Sequence, residues 1–406
     1  MGSFSAPRPD LIRRLNVLGP GVGGATALVS LDAASIVDAA RDATGLDDFG
    51  ETGWEEHLHV LLDALEGEAR LNVVGRLLCR HDLIRHLCNR LTIVDAHRRD
   101  SSMADRAVVA PVFITGPARS GTSILQELLA LDPGLRSPLA YEMAYPPVEP
   151  TLTDETRRSW AEGEFDLWGD IHPPFRAVHD LEAHLPEECL WLTAPALDHG
   201  FWSTCTDVPT FMAHRALTDQ VPTYEFHRQF VQVLQGDESP TWVFKSPVHA
   251  TRLDALFAVY PDARVIRTHR DPARTVPSTV STLLHGRWTR SDEVDAAATA
   301  AMATLGLTLI FNQMSPAAPP PPARIVELQY VDLMRDPSGT IAATLAALDV
   351  PTDPSLPDRI AHRLAERPQG HAGAHRYGPE DFGTDAATIR ADFAPYIAAF
   401  DVVLED

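Results

Sequence analysis

Apolar positions along residues 31–99 recur at helical spacing: Ile36, Val37 and Ala40; Leu58, Leu61, Leu62 and Leu65; Val73, Leu77 and Leu78; Leu83, Leu87 and Leu91. That period predicts several amphipathic helices before any strand. From Val112 the pattern changes to short apolar runs, each followed by a turn signal and then by a helical period. Val112–Thr115 leads into a helix expected over 120–131, with Ser120 as its cap and Ile124, Leu125, Leu128 and Leu129 on its apolar face. Trp242–Phe244 leads to a helix carrying Leu253, Leu256 and Phe257. Arg264–Ile266 leads to one near 273–284, and Ile325–Leu328 to one over 338–348. Four strand–helix alternations predict a parallel sheet covered on both faces, with ligands at the carboxyl ends of the strands.

Between the first and second of these strands, residues 151–240 break the alternation and carry Trp160, Trp168, Trp191, Phe201, Trp202 and Phe211. Such an insertion is placed to wall a substrate pocket, although each aromatic serves equally well as core. Residues 1–30, rich in Gly, Pro and Ser, read as a flexible lead-in, and the glycine-dense stretch Gly19–Gly24 has no strand before it to make it a phosphate loop. The run Pro316–Pro322 reads as a stiff linker. The expected organisation is therefore a lead-in (1–30), a helical cap or dimer region (31–105), and an α/β domain (106–406) with the insertion at 151–240.

A net charge of −22 lacks the basic face that a general nucleic-acid binder needs. The four cysteines show no C-x-x-C spacing, and the 17 histidines no H-E-x-x-H, so neither a zinc framework nor another metal site is expected. No secretory pattern opens the chain, and no run of apolar residues is expected to cross a membrane, so a cytoplasmic protein is expected.

The strongest chemical signal follows the first strand. Gly116-Pro-Ala-Arg-Ser-Gly-Thr-Ser123 spells G-x-x-x-x-G-T-S, a phosphate loop in which Thr122 replaces the usual lysine and the cation, Arg119, precedes the second glycine. The loop suits an anion other than the end of a magnesium-bound triphosphate. Three more segments stand at strand ends or just beyond the first helix: Lys245-Ser-Pro-Val-His249, Arg270-Asp-Pro272 with Ser278 beyond it, and Arg136-Ser-Pro-Leu-Ala-Tyr-Glu142.

Together with Tyr330-Val-Asp-Leu333, these motifs resemble the sulfotransferases that use 3′-phosphoadenosine 5′-phosphosulfate (PAPS), over roughly 110–350. Gly45-Leu-Asp-Asp-Phe-Gly50 and His375-Arg-Tyr-Gly-Pro-Glu-Asp-Phe-Gly383 extend the likeness to the bacterial type with a long helical N-terminus. The resemblance implies a P-loop-like α/β fold with PAPS as sulfuryl donor and no metal. It implies a 5′-phosphosulfate clamp from Arg119, Ser120, Gly121, Thr122 and Ser123, and a 3′-phosphate site from Arg270 and Ser278. It further implies nucleotide contacts from Tyr330, Arg376 and Tyr377, and Lys245 offsetting charge on the leaving oxygen. The base is either Glu142 or His249, the latter four residues past Lys245 rather than the family's two. His269 is expected to position its loop. A hydroxyl of a small molecule, lipid or carbohydrate is the expected acceptor, and a homodimer is compatible with the N-terminal helices. A phosphate-loop kinase would need lysine at 122, and a non-catalytic relative would have lost Lys245, Glu142 and His249.

Overall fold

In the computed structural model, which describes residues 3–51, 53–148, 151–179, 181–314, 324–367 and 377–405, five parallel strands form the central sheet. They are β1 (Val112–Thr115), β2 (Leu135–Arg136), β3 (Thr241–Lys245), β4 (Arg264–His269) and β5 (Ile325–Gln329), in the spatial order β2-β3-β1-β4-β5. The register pairs Val112 with Val243 on one side and Arg264 on the other, so the ends of β1, β3 and β4 lie side by side. Alternation along β1 sends Phe113 to one face and Val112 and Ile114 to the other. Phe113 packs with Phe230, Phe244 and Val265. Val112 and Ile114 pack with Leu125, Leu128, Ile341 and Leu345. Burying both faces explains why the strands read as continuous apolar runs rather than as alternation.

Several expected boundaries shift. The helix after β1 is Thr122–Leu129, and Gly121 caps it at a left-handed φ of 89°. Left-handed residues at Gly116, Arg119 and Gly121 keep the chain out of helix until 122. Ser120 therefore does not cap; its hydroxyl turns inward, donating to the Pro117 carbonyl at 2.6 Å and pairing with Thr268 Oγ1 at 2.5 Å. The last strand runs one residue further, to Gln329, and Tyr330 opens a short helix, Tyr330–Arg335. The expected lead-in is folded: Ser3–Phe4 pairs antiparallel with Val294–Asp295, and Asp10–Asn16 is a helix whose Ile12 packs with Val74 and Ile171. The Pro316–Pro322 linker lies outside the described residues.

The N-terminal helices Ala33–Thr44, Trp54–Gly67 and Val73–Arg99 share one core with the insertion, where Leu58, Leu61 and Leu87 meet Trp202 and Phe211. Contrary to the sequence expectation, one helix among the described residues, Ala296–Met314, is long and apolar enough by composition to cross a membrane. Its Leu307, Phe311 and Met314 are packed in a core with Val276, on the helix Pro272–Trp288, and Phe393.

Candidate functional site

At the carboxyl ends of β1 and β3 the sheet opens onto a cavity of about 720 Å³. One wall is the loop after β1, contributing Arg119, Gly121, Thr122 and Ser123. Gly116 makes this loop possible: a Cβ there, at φ 141°, would stand 2.5 Å from the Thr268 carbonyl oxygen. The first amides of the helix Thr122–Leu129 and its positive dipole end face the cavity, a geometry that suits an anion.

Arg119 does not point back along its own loop. Its Nε donates to Ser278 Oγ at 3.1 Å and its Nη1 to the Val178 carbonyl at 3.4 Å. The residues expected at two separate anion sites thus touch. Arg270 donates from Nη1 to the Arg119 carbonyl at 2.9 Å and lies 3.8 Å over the Tyr330 ring. Its Nε and Nη2 form a bidentate ion pair with Glu405, at 2.7 and 3.0 Å. The tail that carries Glu405 is itself anchored, because the Glu405 amide donates to buried Asp271 at 2.9 Å. Tyr377 also lines the cavity, while Arg376 lies outside the described residues.

Lys245, at the end of β3, is buried, and its ammonium bridges Ser123 Oγ at 3.1 Å and Glu188 Oε1 at 2.8 Å. A buried cation needs such partners. Beside it, Glu187 Oε2 meets His179 Nε2 at 3.3 Å, and Glu187 Oε1 accepts from the Glu188 amide at 2.9 Å. Burial would raise the Glu187 carboxyl, but His179 and Lys245 hold it down at about 2. Burial would lower the His179 imidazole, but Glu187 raises it above its ordinary value. His179, Glu187 and Glu188 all line the cavity.

Neither expected base does. Glu142 accepts from the Leu139 amide at 2.9 Å, boxing the start of the helix Ala140–Ala144, and pairs with Arg136 at 3.2 Å. His249 pairs through Nδ1 with Tyr224 Oη at 2.6 Å, sits edge-on to Phe113, and borders a separate, much smaller pocket. Burial first, and Lys245 second, push its imidazole down to about 3. His269 is held between Tyr396 and Glu327 at 3.1 and 2.7 Å, in keeping with a positioning part.

The acidic pair escaped sequence reasoning because it stands on irregular chain inside the insertion, far from any strand end. The sequence offered only the adjacent carboxylates of Pro186-Glu-Glu-Cys189, a pair like Asp154-Glu155 and Asp237-Glu238 in the same insertion. Backbone bonds from Cys189 to the Lys245 carbonyl and from Glu187 to the Pro138 carbonyl lace the segment to β3 and to the Glu142 region. Beyond the polar groups the cavity widens into a chamber walled by Trp168, Phe175, Trp191, Phe201 and Met212. Among the described residues no cluster of three or more metal-ligating side chains occurs.

Comparison with known proteins matches residues 111–354 to the model of the sulfotransferase family. An omega-hydroxy-beta-dihydromenaquinone-9 sulfotransferase, Stf3, of Mycobacterium bovis is 28% identical over 248 residues, which cover 57% of this chain and 60% of that protein. The chain thus aligns with less than two thirds of the length of this curated relative. The crystal structure of sulfotransferase STF1 from Mycobacterium tuberculosis H37Rv superposes with a TM-score of 0.76 at 29% identity, covering 90% of this chain and 98% of that one. Sulfotransferase STF9 from Mycobacterium avium gives 0.81 at 23% identity, covering 92% and 97%, and speaks for the fold.

Proposed function

We infer the function from one premise: the chain belongs to the sulfotransferase family, whose model spans more than half of it. The reaction we propose is transfer of the sulfuryl group of PAPS to a hydroxyl of a small-molecule or lipid acceptor. One observation carries this reading. A single cavity joins an anion-binding loop without its lysine to an apolar chamber, and Ser123 and Glu188 in its wall hold the buried cation Lys245 at the next strand end.

The loop suits the donor. Thr122 and Ser123 offer amides and hydroxyls at a helix N-terminus to the 5′-phosphosulfate. A sulfuryl group carries less charge than a terminal phosphate, so the lysine and metal of a triphosphate loop are dispensable. Arg119 and Ser278, joined at 3.1 Å, are assigned to the nucleotide's phosphates together with Arg270, and Tyr330 and Tyr377 to the nucleoside. Ser120, turned into the protein, shapes the loop and contributes no side-chain contact to the donor.

Lys245 supplies the catalytic charge. Its ammonium already reaches Ser123 of the loop, so it meets the bridging oxygen as negative charge grows there when the sulfur–oxygen bond breaks. Such a fixed cation favours the transition state over the ground state. The chamber of Trp168, Phe175, Trp191, Phe201 and Met212 favours an acceptor with an apolar body that presents its hydroxyl toward Lys245. An omega-hydroxy dihydromenaquinone, named for the curated relative, belongs to that class.

The test is transfer of labelled sulfate from PAPS to hydroxyl compounds graded from apolar alcohols and phenols to free sugars, with products read by mass. Sulfate esters of the apolar members are expected. Transfer to none of the series, with PAPS left intact, contradicts the reading.

A further inference from the structure

We propose that His179, oriented by Glu187, takes the proton of the acceptor hydroxyl. The proposal rests on the sulfuryl-transfer reading and adds to it the base that neither Glu142 nor His249 is placed to provide.

Geometry is the first argument. His179 lines the cavity with its side chain 32% exposed, while Glu187 behind it is 8% exposed. Glu187 engages Nε2 at 3.3 Å and is fixed in turn by the Glu188 amide, so the neutral imidazole carries its proton on Nε2. Nδ1, not engaged by Glu187, is left to accept. A carboxylate holding one ring nitrogen so that the other acts as base is the arrangement of the Ser-His-Asp triads, where imidazole activates a hydroxyl.

Position is the second. The carbonyl of the preceding residue, Val178, receives Arg119 Nη1 at 3.4 Å, which seats His179 beside the loop's cation. On its other flank Glu188 holds Lys245, which reaches Ser123. The proton acceptor and the donor loop thus border one cavity, with the cation for the leaving oxygen directly behind its Ser123 and Glu188. Glu188 is the nearest rival, but its carboxylate is already engaged by the Lys245 ammonium at 2.8 Å.

The step balances. The acceptor O–H gives its proton to Nδ1, and the oxygen forms a bond to sulfur. The bond from sulfur to the bridging oxygen breaks, and its electron pair stays on the 5′-phosphate. The products are a sulfate ester and adenosine 3′,5′-bisphosphate, and the imidazolium returns its proton to water.

The charged groups facing His179 are Glu187, Glu188 and Lys245, with Arg119 close by. Burial lowers the imidazole, Glu187 more than restores it, and the result lies above the ordinary value of about 6.5. A base must be unprotonated, so the acid limb of the rate profile falls above that value. Glu187→Gln removes the raising carboxylate and must move this limb to lower pH.

The experiment uses the full chain with PAPS and two phenols, beta-naphthol and the more acidic para-nitrophenol, at mildly alkaline pH. His179→Asn is expected to lower kcat by about 10²–10⁴-fold on the naphthol, and far less on the nitrophenol, which is already largely ionised. The affinity for adenosine 3′,5′-bisphosphate should be retained, which certifies the fold. Glu187→Gln serves as the second variant, with a smaller rate loss and the shifted acid limb. Equal losses on both phenols, or an unmoved acid limb in Glu187→Gln, overturn the assignment of the base. A wild-type protein that sulfates neither phenol nor any other member of the graded series overturns the reaction itself.

Discussion

In the proposed reaction Lys245 is the residue on which the chemistry turns. Its burial between Ser123 and Glu188 is what an electrostatic catalyst requires, because charge placed in a dry site needs no reorganisation during the reaction. Lys245→Met should lower kcat by about 10²–10³-fold while the affinity for adenosine 3′,5′-bisphosphate falls less, as steady-state rates and titration calorimetry would show. Arg270 presents a different situation. The sequence places it on the 3′-phosphate, yet Glu405 holds its fork and Tyr330 covers its face. A phosphate must therefore compete with that carboxylate. Glu405→Gln should tighten bisphosphate binding by up to about tenfold, one ion pair's worth; weaker binding by calorimetry would mean that Glu405 prepares Arg270 rather than competing for it. Nothing in the sequence announced this pairing, since 135 positions separate the partners. Lys245 and Arg119 were legible because each stands in a motif at a strand end, and Ser278 because it follows Arg270-Asp-Pro272 along the next helix. His179 and Glu187 were not, because their proximity is made by tertiary contacts of irregular chain.

Among the elements, the loop after β1 depends most on one residue. Gly116 occupies a φ of 141°, and a side chain there would press on the Thr268 carbonyl. Gly116→Ala should cost about 1–3 kcal/mol and open the loop, weakening bisphosphate binding alongside the loss in Tm. The short helix Ala140–Ala144 matters in another way. Glu142 boxes its start, and the Ala140 and Tyr141 amides bond the Leu185 and Ala183 carbonyls, so this helix steadies the segment that bears Glu187 and Glu188. Glu142→Ala should cost about 0.5–2 kcal/mol in denaturant midpoints, as caps do, with only a modest fall in turnover. A loss of about 10²–10⁴-fold would return the base to Glu142. Strands β1, β3, β4 and β5 were legible as apolar runs closed by turn residues. The two-residue β2 was too short to carry a period, and the folded lead-in was hidden because its contacts lie on Val74, Ile171 and the Val294 strand, remote in sequence.

At the scale of the molecule, two properties can be read from the whole fold. The first is its response to acid. His172, His199 and His249 are buried, and burial lowers each to about 3. The unfolded chain binds protons on these rings below about 6.5 while the folded chain does not, so stability must decline as pH falls from there. Thermal unfolding across that range should show a falling Tm, and a flat profile would mean that the rings titrate freely in the native state. The second is the division of the cavity into a polar end at the loop, proposed for the donor, and an apolar end walled by the aromatic insertion, proposed for the acceptor. The insertion shares its core with the N-terminal helices, so the acceptor chamber is built by the parts that lie outside the alternating sheet. The donor end makes the most direct claim. Calorimetric titration with adenosine 3′,5′-bisphosphate, with adenosine 5′-monophosphate, which lacks only the 3′-phosphate, and with ATP and magnesium ions decides it. The account predicts that the bisphosphate binds tightly, that loss of the 3′-phosphate weakens binding by at least about tenfold, the value of one good ion pair, and that ATP with magnesium binds poorly. Binding of ATP with magnesium in preference to the bisphosphate would contradict it.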